Sequence, residues 1–199
     1  MIKINKAKNK IIEILKKSLE IKSIETKLHT ERVSNYCIKM AQELALSSEM
    51  IKKAGMVGTL HDIGKISIAD RILLKPGKLT EYEYEVMKSH SEEGYKIVCS
   101  IPEIKDIAND ILSHHERWDG NGYPNKLKGK EIPILSRIVS IADTFDAITE
   151  NRCYSKNRNV EYAISELKKC SGTQFDPYLV NIFVNKIILE NNVINDNNI

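Results

Sequence analysis

The sequence predicts an all-α protein folded as a single domain. Nearly every long segment repeats its apolar residues every three or four positions, and no alternating polar–apolar stretch is long enough for a convincing strand. A chain of 199 residues, 42% of them hydrophobic, is the right size for one domain with a sizeable core.

The elements follow in order. Ile11, Ile12, Leu15 and Leu19 recur among lysines and predict a basic helix over 1–22. This segment reads as a helix packed on the domain, a dimerisation helix, or an amphipathic surface for anionic membrane. A second helix is expected over 24–46, with Leu28, Val33, Tyr36, Met40 and Leu44 on one broad face. Ser47-Ser48-Glu49 supplies a serine cap and an acidic first turn for a third helix running to about Asp62. A short irregular segment is expected over 66–74, and Lys75-Pro76-Gly77 breaks the pattern. Thr80 with Glu83 three residues later forms a capping box, predicting one helix from there to Val98. Ile101-Pro102-Glu103 opens another that ends near His115. Gly120, Gly122, Pro124 and Gly129 make 117–132 the one loop-rich stretch. Helices resume over 134–149, 160–170 and 176–189. The resulting organisation is a basic helix at 1–22, a main domain over 23–190 and a disordered tail at 191–199.

Composition excludes several classes. Thirty basic and 27 acidic side chains leave a net charge of +3, with no concentrated basic stripe for a nucleic-acid polymer. No apolar run of about 18 residues exists to span a membrane, and the N-terminus lacks the uninterrupted apolar segment of a signal peptide. A cytoplasmic location is expected. Cys37, Cys99, Cys153 and Cys170 are scattered, with no CxxC pair, which suits reduced thiols.

The five histidines carry the chemistry. His29 lies four residues after Glu25, so the two share one helical face. His61-Asp62 is followed by Lys65, His90 sits inside a predicted helix, and His114-His115 closes another. Asp143 interrupts an apolar helical face, where an unpaired carboxylate would be costly. Taken singly, Glu25–His29 also reads as an ordinary helical pair, His90 as a core or surface histidine, and His114-His115 as a solvated helix end. Taken together, imidazoles and carboxylates are a ligand set for iron, manganese or zinc. Adjacent helical residues project about 100° apart, so His61-Asp62 or His114-His115 can serve two neighbouring ions.

These residues sit in longer strings. His114 to Pro124, HHERWDGNGYP, resembles the HHExxDGxGYP signature of the HD-GYP phosphodiesterases. Leu60 to Lys65 (LHDIGK) is similar to that family's HDxGK segment, and 70–94 to its KPGKL…MKxHxxxG segment. SIADTFDAIT at 140–149 and GTQFDP at 172–177 also match, so the resemblance runs from about Glu25 to Phe183. It implies an HD-superfamily helical bundle with the loop-rich GYP insertion beside the metal site. It also implies a centre of two or three divalent ions, iron or manganese. His29, His61, Asp62, His90, His114, His115 and Asp143 fall on the ligand positions. Asp62 is expected to bridge two ions, and Glu25 to add a third.

The implied reaction is hydrolysis of cyclic di-GMP to linear pGpG, with further cleavage to GMP left open, by attack of metal-activated hydroxide. Lys65 is the candidate for stabilising phosphoryl charge. Arg152 stands where the family grips substrate phosphate, but Arg152-Cys153-Tyr154-Ser155-Lys156 departs from the usual RPYR or RPYK. Ser155 replaces a cation that Lys156 partly supplies. That departure keeps a mixed GMP–AMP cyclic dinucleotide open as substrate. A receptor module with little turnover is the alternative from another class. Tyr123 is a candidate substrate contact, and the GYP loop a candidate surface for a protein partner. Trp118 reads as loop packing or base stacking. The oligomeric state is left open.

Overall fold

The computed structural model describes residues 2–22, 27–150 and 156–189, all helices, turns and loops, with no strand among them. Glu25, Arg152 and Ser155 lie outside the described residues, as do the side chain of Lys156 and the tail expected at 191–199. The helices are α1 (Ile2–Lys22), α2 (Lys27–Glu43), α3 (Ser48–Leu60), α4 (Asp70–Leu73), α5 (Glu81–Lys88), α6 (His90–Cys99), α7 (Ala108–Leu112), α8 (Ile134–Glu150), α9 (Lys156–Lys169) and α10 (Pro177–Ile182). Short 3₁₀ turns occupy Ile63–Ser67, Lys105–Ile107 and Gly129–Glu131.

The core is built on α2, α3 and α8, which pack on one another. Val33, Met40, Leu60, Ile138 and Ile141 are fully buried there. Tyr36, Phe145 and Phe183 form an edge-to-face aromatic cluster with ring centroids 5.2–5.5 Å apart. Helix α10 passes into a π-helical segment, Phe183–Leu189, whose wider turn brings Phe183, Val184, Ile187 and Ile188 to the core. The N-terminal helix packs on the domain: Leu19 is buried, and α1 contacts α3 and the Ile63–Ser67 turn.

Local signals read from the sequence are realised where backbone groups need partners. Ser47 Oγ accepts from Met50 N at 3.3 Å. Thr80 and Glu83 close a reciprocal capping box. Asp176, which had no expected capping role, caps α10 through Tyr178 N. The expected irregular segment at 66–74 contains the one-turn α4.

Two helix expectations need correction. The helix expected from Thr80 to Val98 is two, α5 and α6, divided at Ser89. Three successive side chains there bond the carbonyls three residues back: Ser89 Oγ to Val86 O at 2.7 Å, His90 Nδ1 to Met87 O at 2.7 Å and Ser91 Oγ to Lys88 O at 3.1 Å. Such bonds compete with the helical ladder and break its course. The helix expected from Ile101 to His115 is only Ala108–Leu112. Before it, Ile104 N and Ile107 N bond back three residues rather than four, a tighter course that buries both isoleucines.

Phe145 is 2% exposed and touches both other rings of the aromatic cluster. Phe145→Ala should therefore lower unfolding stability by about 3–5 kcal/mol, measured by urea denaturation.

Candidate metal centre and its cleft

Seven side chains from five parts of the chain converge as two groups of donors. Asp62, His90, His114 and His115 form one, and His29, His61 and Asp143 the other, each with its donor atoms within 4.8 Å of one another. The His61-Asp62 pair at the end of α3 is divided between the groups, as adjacent projection around a helix end allows. His114-His115 is not divided: both belong to the first group, because the chain turns after α7 and both rings meet His90. Asp62 sits between the groups. Its Oδ2 is 3.2 Å from His61 Nε2 and its Oδ1 3.2 Å from His90 Nε2.

The imidazoles are held in one orientation by a repeated device. Nδ1 of His61, His90 and His114 each meets the carbonyl three residues back, Gly58 O at 3.0 Å, Met87 O at 2.7 Å and Ile111 O at 2.6 Å. Donating there assigns the proton to Nδ1 and leaves the Nε2 lone pair facing inward. His90 Nε2 then lies 3.2 Å from His114 Nε2 and 3.1 Å from His115 Nε2. The unprotonated Nε2 atoms of His90 and His114 have no proton to share at that separation, and a cation between them resolves the contact. The donor chemistry therefore fits a divalent ion in each group. Burial holds the pKa of His114 well below its ordinary value and that of His115 down to about 3, so both stay neutral. Burial also pushes the Asp62 carboxyl up, but Lys65, His61 and His90 together outweigh it and hold the group well below the usual carboxylate range.

The backbone brings these donors together at one point of close approach. A Cβ on Gly64 would overlap the carbonyl of His90 and lie 2.5 Å from Gly94 N. Only glycine lets the turn after His61-Asp62 seat on the start of α6. The same turn carries Lys65, whose Nζ is 2.7 Å from Asp62 Oδ2.

Behind His29 stands Asp146, 0% exposed and one turn after Asp143 on α8. Its Oδ2 accepts from His29 Nδ1 at 2.7 Å, while Arg32 Nε and Nη2 bind its oxygens at 2.5 and 2.9 Å. Its pKa is raised by burial but more strongly lowered by the His29 and Arg32 hydrogen bonds. Reading the sequence gave this residue no role; its spacing of three from Asp143 on an apolar helix was the available signal.

The loop after His114-His115 is fastened by Glu116, also without an assigned role in the sequence. Its buried carboxylate accepts from Asn125 N at 2.7 Å and Leu127 N at 3.0 Å. Trp118 N and Asp119 N donate to the carbonyls of Gln174 and Thr173, so the loop is paired with the GTQFDP segment. The Trp118 ring lies under the Arg137 guanidinium, 5.9 Å from its centroid, and packs the loop. Arg137 in turn binds Asp176 at 2.7 Å. A Cβ on Gly122 would overlap Arg117 N, so glycine is required where the loop doubles back. Tyr123 is stacked on His115 at 4.9 Å between centroids. A cleft of about 650 Å³ opens beside the first donor group, with Lys65, His90, His115, Arg117 and Tyr123 among its walls.

Residues 13–179 match the HD domain family. The chain is 43% identical over 176 residues to a protein of Thermotoga maritima named cyclic di-GMP phosphodiesterase, covering 87% of this chain and 48% of that protein. It is 39% identical over 189 residues to 3'3'-cGAMP-specific phosphodiesterase 2 of Vibrio cholerae, covering 92% of this chain and 36% of that protein. Among solved structures, a cyclic GMP-AMP-specific phosphodiesterase of V. cholerae superposes with a TM-score of 0.70 at 19% identity, covering 92% of this chain and 49% of that one. At that identity the likeness is one of fold. The chain spans about half or less of the length of these relatives.

Asp146→Asn keeps the shape of the residue behind His29 and removes its charge. It should weaken Mn²⁺ affinity by about 10–100-fold while leaving the circular dichroism spectrum unchanged, measured by metal titration of the purified chain.

Proposed function

This chain belongs to the HD domain family, and from that premise we propose that it is a metal-dependent phosphodiesterase acting on a cyclic dinucleotide, cyclic di-GMP foremost. The observation that carries the proposal is the meeting of two donor groups at Asp62, beside a cleft lined by His90 and His115. The names of the relatives, cyclic di-GMP and cyclic GMP-AMP phosphodiesterases, support the substrate class. The presence of every donor argues against a receptor module with little turnover.

In this reading His29, His61 and Asp143 would hold one divalent ion, and His90, His114 and His115 the other, iron or manganese in each. Asp62, which stands between the two groups, would help to hold both. Such ions, when bound, activate water as the nucleophile and neutralise the phosphodiester. The chain's own part is positional and electrostatic. Nδ1–H bonds to carbonyls keep the Nε2 atoms of His61, His90 and His114 deprotonated and aimed inward. Lys65 lines the cleft and brings a cation to the phosphoryl oxygens, where negative charge grows in the transition state. Tyr123, stacked on His115 in the cleft wall, contacts the substrate, and Arg152 with Lys156 grips its phosphate. Glu25 adds a ligand for a third ion. The reaction opens the ring to pGpG. The GYP loop offers a surface to a protein partner.

A second reading, hydrolysis of a mixed GMP–AMP cyclic dinucleotide, is favoured by the 39% identical relative specific for 3'3'-cGAMP and by Ser155 in place of a cation.

Anaerobically purified chain should hydrolyse cyclic di-GMP and carry at least two Fe or Mn ions per chain. Asp62→Ala should abolish turnover and release metal, read by product chromatography and elemental analysis of the same sample. Retained hydrolysis in that variant would refute the metal-dependent reading. Glu25→Ala should lower the metal content by about one ion per chain, and an unchanged content would remove the third-ion assignment.

A further inference from the structure

Helix α5 buries none of its residues, yet it forms one side of the cleft, contributing Tyr84 and Met87. Polar contacts fasten its N-terminus: the Thr80–Glu83 capping box and an ion pair between Lys75 and Glu83. An aromatic ring on such a helix is not there to fill a core. Tyr84 is 52% exposed.

Three contacts connect this ring to the donor group. Tyr123 lies nearly parallel to His115, with 29° between the ring planes. Lys88 Nζ is 5.6 Å from the centroid of Tyr123 and 5.4 Å from that of Tyr84, within range of both π faces. Lys88 also pairs with Glu85 at 2.6 Å, which anchors it on α5. A second cleft, of about 520 Å³, is lined by Tyr84, Lys88 and the GYP loop, Tyr123 included. The two tyrosines are thus common to a cleft that reaches the donors and one that does not.

We propose that Tyr84 is a stacking platform for a purine base of the cyclic dinucleotide, with Lys88 and Tyr123 fixing its ring between the two clefts. The inference rests on the phosphodiesterase reading above and names a subsite within it. A cyclic dinucleotide has a phosphodiester to lay against His90 and His115 and a base on either side of it. An aromatic face at the cleft edge suits the flat, apolar surface of a base, and stacking of this kind accepts any purine. Tyr84 is therefore a binding residue whose contribution lies in its ring and not in its hydroxyl.

The test is the equilibrium affinity of the metal-loaded full chain for a hydrolysis-resistant phosphorothioate analogue of cyclic di-GMP, compared among Tyr84 variants of equal melting temperature. Tyr84→Ala should bind about tenfold or more weakly, in line with loss of one base–aromatic stack, while Tyr84→Phe and Tyr84→Trp stay within about threefold of the parent. Undiminished affinity in Tyr84→Ala would overturn the inference. So would an equal loss in Tyr84→Phe, which would put the effect in the hydroxyl. A parent chain that binds the analogue but never hydrolyses cyclic di-GMP contradicts the phosphodiesterase reading alone, and the variant affinities then still decide the stacking platform.

Discussion

The interior of this domain contains a carboxylate, Asp62, which together with buried imidazoles must find polar partners, and much of the local structure follows from that constraint. A buried polar atom without a partner costs free energy that a small domain can scarcely spare. The solution is partition. Outward-facing atoms of the donors are bound by the protein: Nδ1 of His61, His90 and His114 by carbonyls of their own preceding turns, and Nδ1 of His29 by Asp146. Inward-facing atoms are left to converge on one another, in an arrangement suited to cations. The break between α5 and α6 belongs to the same scheme, since the bond from His90 to Met87 O is one of three that bend the chain there.

Two consequences extend the centre beyond its donors. Asp146 is bound on one side by His29 and on the other by Arg32, which reaches on to Glu150 at 2.6 Å. The orientation of one imidazole is thereby tied to the pairing of α2 with α8. Glu116 ties the other end of the site to its loop, because the residue following His114-His115 anchors the backbone at Asn125 and Leu127. The GTQFDP segment completes this support through its carbonyls and through the Arg137–Asp176 pair. The loop that borders the cleft is thus braced from both sides, which suits a wall that must keep its shape as ligand enters.

Much of this was legible in the sequence. Helical periodicity identified the main helices, and capping chemistry at Ser47 and Thr80 was readable because caps depend on residues only a few positions apart. The HHERWDGNGYP and LHDIGK strings singled out four of the candidate donors and the loop, and the structure gathers all seven described candidates into two groups. What the sequence left out depends on contacts between distant segments. The division at Ser89 was missed because Ser, His and Ser are ordinary helix residues until their side chains turn back on the ladder. Asp146 and Glu116 were passed over because a buried carboxylate cannot be told from a solvated one without its partners.

The sequence by itself determined the helical class and pointed to the candidate donor residues and the glycine-rich loop, since each is written in residue type and short-range spacing. The tertiary structure decided how the donors divide: His61 and Asp62, adjacent in the chain, serve different groups, whereas His114 and His115 share one. That division depends on where α2, α6 and α8 meet, and in particular on the close seating of Gly64 against His90. It is fixed by packing across dozens of residues, which no local pattern records.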